Sequence, residues 1–441
     1  MSEIRVGLLG LGTIGLGVAR ILIEQQELMS RRLGKTVRLV AAADRYLDRD
    51  FGLDFTGVRL TDDANEIITA DDVDLVVELI GGYEPARTFV ATAIEHGKHV
   101  VTANKALIAK YGEELFPLAE ANGVAIAFEA AVGGGIPCLK ALREGVAANA
   151  IESVYGILNG TCNFILTKME IEGADYAEVL KEAQELGYAE ADPTFDVEGV
   201  DTAHKLSLLA SMAYGSLIKF DDVYTEGISK ISASDIEAVK ELGYRIKLLG
   251  IAKPHGQNGQ VDSVEMRVHP TLVPLSSQIA QVSDSYNAVM ISGDFVEHTV
   301  YIGRGAGERP TASAVVADIM DITRVAACGV EFLAPPMGYV SSERRDVPTL
   351  PMSDIESEYY LRFTVKDESG VIAAITSILA DHRISLEAMQ QKESVAGKNV
   401  SVIMLTHQTT EGNLQAAIKR ITALNAVALD VLILRKEIFS A

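Results

Sequence analysis

A cluster of carboxylates precedes a lysine in the middle of the chain, and this combination can move protons. Glu190, Asp192 and Asp196 lie within seven residues, and they lead to Asp201 and Lys205. The last two are four residues apart, so they lie on one face of the predicted helix. Nearby carboxylates keep a lysine protonated, and such a lysine can protonate an alkoxide as hydride reaches a carbonyl. The carboxylates can equally bind a substrate ammonium, and an ordinary surface ion pair is the alternative.

A glycine-rich turn near the start of the chain has the spacing of a dinucleotide-binding loop. The sequence GLGTIG follows an apolar strand and opens a helical pattern. Gly10 permits the tight turn, Gly12 lets the backbone approach a pyrophosphate, and Gly15 lets the helix pack closely on the strand. The N–H groups of the helix start, which includes Thr13 and Ile14, favour phosphate. We predict that these five residues contact the cofactor.

Asp44 ends the second predicted strand, where an acidic residue usually binds the ribose. It lies farther along than the usual ~20 residues, so residues 25–35 must form a long helix or an insertion. Arg45 follows directly and can bind the 2′-phosphate of NADP(H), although a solvated arginine is an equal alternative. The sequence therefore favours NADP(H), and NAD(H) is also compatible with it.

Two further candidates follow strands of the same predicted sheet. Lys105 comes after the fourth strand, and residues at the carboxyl ends of parallel strands face the ligand crevice. Glu129 closes the fifth strand, and a run of glycines at 133–135 comes soon after. Glycines free main-chain oxygens to hold a small hard cation, but a hinge between domains explains them as well. Cys162 is a candidate nucleophile, whereas a buried inert thiol is the commoner arrangement.

The elements that must position these residues fall into three regions. Residues 1–130 alternate near-continuous apolar strands with helical patterns, which indicates a Rossmann-type parallel sheet. Residues 131–304 predict an α+β catalytic domain with a mixed sheet. Residues 341–358 are polar and contain prolines, so we interpret them as a linker. Residues 359–441 have the βαββαβ order of a ferredoxin-like domain.

Composition limits the classes of function. The 441 residues correspond to about three domains, at roughly 150 residues each. The chain has 39 basic and 61 acidic residues, and a net charge of −22 argues against nucleic-acid or anionic-membrane partners. Three cysteines without paired spacing exclude a disulfide scaffold and fit a reducing cytoplasm. We find no secretory signal and no apolar run of ~18 residues, so we expect a cytoplasmic protein without a membrane span.

Together these motifs resemble monofunctional homoserine dehydrogenase with a C-terminal ACT domain. The resemblance covers nearly the whole chain and is carried by residues 10–15, 129–137, 159–164, 187–196, 201–206 and 303–314. It implies reversible reduction of L-aspartate 4-semialdehyde to L-homoserine with NAD(P)H, on the route to threonine, methionine and isoleucine. It also implies that residues from about 305–340 complete the nucleotide domain and that residues 131–304 form a dimerisation surface. A homodimer or homotetramer follows from this resemblance.

The resemblance assigns roles to individual residues of the catalytic region. It makes Lys205 the proton donor and Lys105 a second active-site lysine near the nicotinamide and the substrate. It makes Glu190 the substrate-binding glutamate, with Asp196 beside it and Asp201 among the catalytic residues.

The resemblance also implies a monovalent cation, Na⁺ or K⁺, bound mainly by main-chain oxygens. The matching residues are Glu129, Val132, Gly134 and Ile136. Gly303 matches a cofactor-contacting glycine, at the point where the chain returns to the nucleotide domain.

The final region carries a candidate regulatory turn. Asp367, Gly370 and Val371 lie between a predicted strand and a predicted helix, and they resemble the ligand turn of ACT domains. The implied effector is L-threonine, which would act by feedback inhibition. Some ACT domains serve only assembly, so that alternative stays open.

Two other classes of function are compatible with parts of the sequence. A phosphorylating aldehyde dehydrogenase would require an activated thiolate, but neither Cys138 nor Cys162 has a histidine beside it. A non-enzymatic, NADP-linked amino-acid sensor would combine the first and last regions. That alternative leaves the two lysines and the carboxylates of the middle region without a role.

Overall fold

The computed structural model describes residues 3–216, 219–256, 260–328, 334–392 and 399–439. The chain divides into two compact units, and we describe each by itself. The first unit consists of Met1–Gly160, His204–Asp222 and Tyr286–Val347. The second unit consists of Thr161–Ala203, Val223–Ser285 and Pro348–Ala441.

Strands and helices alternate along much of the chain. The strands are β1 (Glu3–Leu9), β2 (Thr36–Ala43), β3 (Arg59–Thr61), β4 (Leu75–Glu78), β5 (His99–Thr102), β6 (Ile126–Ala127), β7 (Ile151–Ile157), β8 (Tyr224–Thr225), β9 (Tyr244–His255), β10 (Ser263–Pro274), β11 (Tyr286–Gly293), β12 (Glu297–Arg304), β13 (Glu356–Lys366), β14 (Leu386–Lys392), β15 (Asn399–Thr406), β16 (Thr409–Thr410) and β17 (Val427–Lys436). The helices are α1 (Thr13–Glu24), α2 (Gln26–Leu33), α3 (Asn65–Ile68), α4 (Ala86–Glu95), α5 (Lys105–Ala121), α6 (Cys138–Lys140), α7 (Gly160–Glu172), α8 (Tyr176–Glu185), α9 (Thr194–Val197), α10 (Val200–Tyr214), α11 (Ala233–Glu241), α12 (Glu308–Cys328), α13 (Val371–Asp381) and α14 (Glu411–Ile421).

A parallel sheet with strand order β3-β2-β1-β4-β5-β6 forms the centre of the first unit. This is the doubly wound order in which ligands bind where the strand order reverses. Apolar residues of β1 and α1, such as Leu8 and Val18, are fully buried in its core. The helix α2 accounts for the extra length between the glycine loop and Asp44, as predicted. The predicted Rossmann-type sheet is confirmed.

The helix α12 packs against this nucleotide-binding core. A Cβ on Gly17 of α1 would lie only 3.0 Å from the Cβ of Ala312, so the two helices are in close contact. Val315 and Ile319 of α12 are buried in the same core. The predicted completing segment extends to about residue 340, and its residues 329–333 lie outside the described part of the chain.

Three antiparallel strands also belong to the first unit. The central strand β11 pairs with β12 on one side and with β7 on the other. This ladder carries Gly303 at its end, because Gly303 on β12 pairs with Asn287 on β11.

The second unit contains a mixed sheet that runs β9-β10-β17-β13-β15-β14. The long strands β9 and β10 are antiparallel, and β17 adds to β10 in parallel. Apart from the two-residue strand β16, the last elements follow the order β13, α13, β14, β15, α14 and β17, which is the predicted ferredoxin-like order. Phe363, Ile375 and Leu414 are fully buried in the core of this module. The predictions of a mixed sheet and of the C-terminal fold are confirmed.

Part of the segment interpreted as a linker, at residues 348–350, forms hydrogen bonds with β10 of the second unit. Val264 donates its N–H to the carbonyl of Pro348 and accepts the N–H of Leu350. This part of the segment therefore forms an isolated β-bridge with β10 and is not a loose connection. In the described ranges, we find no helix with both the length and the apolar character to cross a membrane.

Candidate active site

The glycine loop turns between β1 and α1 at the carboxyl end of the parallel sheet. Gly10 has a φ of +97°, which favours glycine, and its N–H donates to the carbonyl of Ala43 at 2.8 Å. A Cβ on Gly15 would lie 1.9 Å from the Gly10 carbonyl oxygen, so a side chain cannot fit there. No side chain caps the start of α1 at Gly12. The N-terminus of this helix is therefore arranged to bind an anion.

A cleft of about 550 Å³ opens beside this loop, and Gly10, Gly12, Asp44 and Arg45 contribute to its lining. The carboxylate of Asp44 accepts the N–H of Leu11 at 2.7 Å, so it also fixes the glycine loop. Arg45 is exposed at this cleft.

Sequence reasoning missed a second arginine of the same cleft. The guanidinium of Arg49 donates to the Leu11 carbonyl at 2.8 Å and lies 3.4 Å from Asp44. A basic residue four positions after Arg45 was the available signal.

A buried network fixes the start of the helix that begins with Lys105. Thr102 donates its hydroxyl to Glu78 at 2.6 Å, and Glu78 also accepts the N–H groups of Ile80 and Gly81. Asn104 caps α5 by accepting the N–H of Leu107. Lys105 is thereby positioned at the carboxyl end of β5, as predicted. Glu78 was missed, because a lone carboxylate at the end of an apolar strand gives little signal.

Glu129 does not end a strand, which corrects the expectation for this segment. The strand β6 ends at Ala127, and Glu129 begins a short 3₁₀ turn. Its buried carboxylate accepts the N–H groups of Leu139 and Lys140 at 3.0 and 2.8 Å. Burial and the neighbouring Asp318 carboxylate raise the pKa of Glu129 to about 8.

The glycines at 133–135 allow two backbone segments to approach each other closely. A Cβ on Gly134 would lie 2.5 Å from the carbonyl oxygen of Gly305. The N–H of Gly135 donates to the Arg304 carbonyl at 3.0 Å, and a Cβ on Gly303 would lie 3.0 Å from Ile136. Gly134 and Ile136, two of the four predicted cation residues, therefore lie against the segment that contains Gly303.

The donor set of this segment is compatible with a small cation. The carbonyl oxygen of Ile136 accepts the N–H of Cys138, and that of Val132 accepts its thiol. Each carbonyl oxygen has a second lone pair that can serve an ion. Within the described residues, no group of three or more His, Cys, Asp or Glu side chains could hold a metal. Main-chain oxygens would therefore supply most of the ligands.

Lys205 lies on α10 and belongs to the first unit. It is half-buried, and its ammonium donates to the carbonyl oxygen of Leu158 at 2.8 Å. Its charge also acts on the thiol of Cys138, whose pKa is nevertheless raised because the thiol is buried. The lysine is therefore oriented by a main-chain acceptor.

The acidic segment, residues 187–196, belongs to the second unit. Side chains of the first turn of α7 form hydrogen bonds with its main chain. Thr161 donates its hydroxyl to the carbonyl oxygen of Tyr188 at 2.6 Å, and the Cys162 thiol donates to that of Asp196 at 3.2 Å. Glu190 is exposed, and the side chain of Gln184 donates to its main-chain oxygen at 3.0 Å.

The remaining carboxylates of this region have different surroundings. Asp192 accepts the hydroxyl and the N–H of Thr194, and these hydrogen bonds lower the pKa of Asp192. Asp201 is buried at the start of α10, one turn before Lys205. The predicted spacing of these two residues on one helix is therefore observed.

The regulatory turn connects β13 to α13. Asp367 and Gly370 are exposed, and Val371 is buried. Gly370 has a φ of +90° and begins α13 without a side-chain cap. The predicted turn is therefore present in a conformation that favours glycine.

Comparison with known families assigns the chain as a whole. The family model for homoserine dehydrogenase matches residues 137–320, and the model for the NAD-binding domain of homoserine dehydrogenase matches residues 10–129. An ACT domain model matches residues 359–426. Homoserine dehydrogenases of Neisseria gonorrhoeae and Pseudomonas aeruginosa are each 46% identical to this chain, over 99% of both sequences.

The chain belongs to the homoserine dehydrogenase family. A solved homoserine dehydrogenase from Thiobacillus denitrificans is similar over 99% of both chains, with 50% identity and a TM-score of 0.92. A hyperthermophilic archaeal homoserine dehydrogenase in complex with NADPH covers 73% of this chain, with 26% identity and a TM-score of 0.60. The predicted oxidoreductase class and the resemblance are confirmed.

The structure does not support the alternative function of a phosphorylating aldehyde dehydrogenase, which would form a thioester on a cysteine. Cys138 and Cys162 are both fully buried, and each thiol donates to a carbonyl oxygen. A nucleophilic thiolate must be accessible and lie in an electropositive environment. The sensor alternative likewise conflicts with membership in a family of oxidoreductases.

Proposed function

We propose that this homoserine dehydrogenase reduces L-aspartate 4-semialdehyde to L-homoserine, with NADPH as the preferred reductant and NADH as an alternative. The observation that carries the proposal is the orientation of Lys205. Its half-buried ammonium is held at 2.8 Å from the Leu158 carbonyl, in the unit that also contains the glycine loop. A fixed ammonium of this kind is suited to protonate a carbonyl oxygen.

Two arginines at the nucleotide cleft support the proposed cofactor preference. The glycine-loop residues Gly10, Gly12, Thr13, Ile14 and Gly15 would bind the pyrophosphate at the N-terminus of α1. Asp44 would contact the ribose, and Arg45 with Arg49 would receive a 2′-phosphate. The archaeal relative solved with NADPH supports this preference. Gly303 and Lys105 would contact the nicotinamide portion.

The substrate carries an ammonium, a carboxylate and an aldehyde, which matches the available side chains. Glu190 and Asp196 would bind the ammonium, and Lys105 would contact the aldehyde end. When bound, the reduced nicotinamide supplies the hydride to the aldehyde carbon. Lys205 would give its proton to the aldehyde oxygen, and Asp201 would act beside it from the first turn of the same helix.

A monovalent cation is the second proposed cofactor, with Na⁺ and K⁺ as candidates. Main-chain oxygens of Val132, Gly134 and Ile136 would hold it together with Glu129. Burial and the like charge of Asp318 raise the pKa of Glu129 against the opposing charge of Lys140, and a cation nearby would favour its ionised form. The cation would fix the segment that contacts Gly303.

Regulation and assembly complete the proposal. L-threonine would bind at the turn formed by Asp367, Gly370 and Val371, and it would inhibit the enzyme by feedback. The protein would assemble as a homodimer or homotetramer in the cytoplasm. The small number of cysteines, three without paired spacing, supports a reducing compartment.

The test is consumption of NADPH by the purified protein with L-aspartate 4-semialdehyde as substrate. We expect turnover in the presence of Na⁺ or K⁺, a lower kcat/KM with NADH, and suppression by L-threonine. Turnover without threonine sensitivity would keep the dehydrogenase and remove the proposed effector. Absence of turnover with both cofactors and both cations would contradict the proposed reaction.

A further inference from the structure

Lys247 is a buried lysine that none of the proposed catalytic steps uses. It lies on β9 with 1% of its surface exposed. Its ammonium donates to the side-chain oxygen of Asn163 at 2.8 Å and to the carbonyl oxygen of Val282 at 2.6 Å. Asn163 donates its own amide to the same carbonyl at 3.1 Å. These groups form a closed triangle that joins β9, the first turn of α7 and the backbone at residue 282.

The two oxygens of this triangle require hydrogen-bond donors from Lys247, and they do not require its positive charge. Burying an ammonium against neutral oxygens costs free energy. Burial and, to a smaller extent, Arg245 on the same strand lower the pKa of Lys247 to about 7, although Glu170 of α7 opposes both. A neutral lysine amine still has two N–H donors for the two oxygens. The triangle therefore persists in both protonation states.

The first turn of α7 is also the part of the helix that holds the acidic segment. Thr161 and Cys162 donate to the main-chain oxygens of Tyr188 and Asp196, as described above. The ring of Phe164 lies 4.9 Å from that of Tyr188. Asn163 is thus flanked on both sides by residues that fix the segment from 187 to 196. A shift of this turn would move Glu190 and Asp196 with it.

We propose that Lys247 is a positioning residue of the dehydrogenase reaction, because it fixes the first turn of α7 and thereby the acidic substrate-binding segment. This inference rests on the proposed function, in which Glu190 and Asp196 bind the substrate. Lys247 acts through Asn163 and does not touch the reacting atoms. The nucleotide cleft is built from other elements, so cofactor binding does not depend on Lys247.

The test is the substitution Lys247→Met, which shortens the unbranched side chain by one atom and removes its donors. We expect the KM for L-aspartate 4-semialdehyde to rise about tenfold or more, since misplacement by ~1 Å can cost ~10² in rate. The Kd for NADPH should stay within about twofold. The KM ratio between variant and wild type should be the same at low and at high pH, because the neutral amine keeps its donors. If the KM values of variant and wild type became equal above neutral pH, the proposal would be overturned, because the role of Lys247 would then be purely electrostatic.

The matched control is Arg245→Met, two positions earlier on the same strand. Arg245 binds Glu170 through two hydrogen bonds of 2.6 and 2.7 Å, at a later turn of α7. We expect this variant to lower the Tm without the rise in substrate KM. An equal rise in KM in Arg245→Met would overturn the proposal, since it would indicate general loosening of α7.

A second variant and a double substitution complete the test. If Lys247→Met does not fold, Lys247→Gln replaces it, because its shorter amide cannot reach both oxygens. An unchanged substrate KM in a folded variant that binds NADPH overturns the proposal. Adding Asn163→Leu to Lys247→Met should cost little beyond the single change, since both act through one contact. If the effects of the two substitutions on the substrate KM were fully additive, the proposal would be overturned. Failure of the proposed function is distinguishable, because wild type itself would then show no turnover.

Discussion

At the scale of single residues, the surroundings of Lys205 differ from those of an ordinary surface cation. A surface ion pair leaves a lysine mobile and contributes little free energy. Lys205 instead donates to the Leu158 carbonyl and is half-buried. A main-chain acceptor orients the ammonium without neutralising its charge. This is the arrangement that a proton donor requires.

We expect Lys205→Ala to lower kcat by ~10²–10⁴ with little change in the Kd for NADPH, because a general acid is lost. Steady-state kinetics and a fluorescence titration of NADPH would measure the two quantities. The matched control is Lys181→Ala, whose side chain is 78% exposed on α8. This control should retain wild-type kinetics. A retained kcat in Lys205→Ala would remove the proposed proton donor.

At the scale of elements, β17 connects the ACT module firmly to β10 of the same unit. Arg435 of β17 is buried and binds Glu411, at 2.7 Å, and Glu226. Glu437 follows β17, and it forms ion pairs with the buried Arg267 of β10 and with Lys253 of β9. The module is therefore not a separable appendage. Truncating the chain near residue 350 would remove these partners together with the regulatory turn.

We expect Glu437→Ala to lower the free energy of unfolding by about 1.5–3 kcal/mol, because the buried Arg267 loses one of its two carboxylate partners and keeps Glu265. Chemical denaturation would measure this change. Glu356→Ala is the control, since Glu356 is an exposed carboxylate on β13. It should change stability by less than about 0.5 kcal/mol. Equal effects of the two substitutions would show that the buried pair does not contribute as proposed.

At the scale of the whole molecule, the question is how an amino acid bound by the ACT module would affect catalysis. Because truncation would also remove these ion pairs from the second unit, a point substitution in the regulatory turn is the cleaner test. Asp367 is exposed in that turn and far in sequence from the catalytic residues.

We expect Asp367→Ala to raise the threonine concentration for half-inhibition about tenfold, with kcat unchanged. A hydrogen bond to a charged group contributes ~1.5–3 kcal/mol, and about 1.4 kcal/mol corresponds to a factor of ten. Asp381→Ala is the control, because Asp381 is an exposed carboxylate of the same module that pairs with Arg420. Unchanged threonine inhibition in Asp367→Ala would contradict binding at this turn.

An unchanged response would direct attention to another cavity of the second unit. This cavity has a volume of about 620 Å³, and Glu226, Lys230, Glu411 and Gly412 contribute to its lining. Its walls come from the ACT module and from the segment after β8. Substitution of Lys230 would then be the next measurement.

Local sequence patterns determined the features that depend on near neighbours. The glycine spacing predicted the turn before α1, because Gly10 needs a positive φ and Gly15 has no room for a side chain. Alternating apolar and polar runs predicted the parallel sheet and the ferredoxin-like module. The four-residue spacing of Asp201 and Lys205 predicted their common helix face. In each case the physical cause acts within a few residues.

Only the tertiary structure decided which buried polar groups meet across long sequence separations. Lys247 binds Asn163, 84 residues away, and the N–H of Glu129 donates to Asp318, 189 residues away. Helix and strand periodicities do not predict such pairs, because they indicate which face of an element is buried and not which residue packs against that face. A buried charge or amide must find a partner to offset its lost hydration. The fold, rather than the local pattern, determines which partner is within reach.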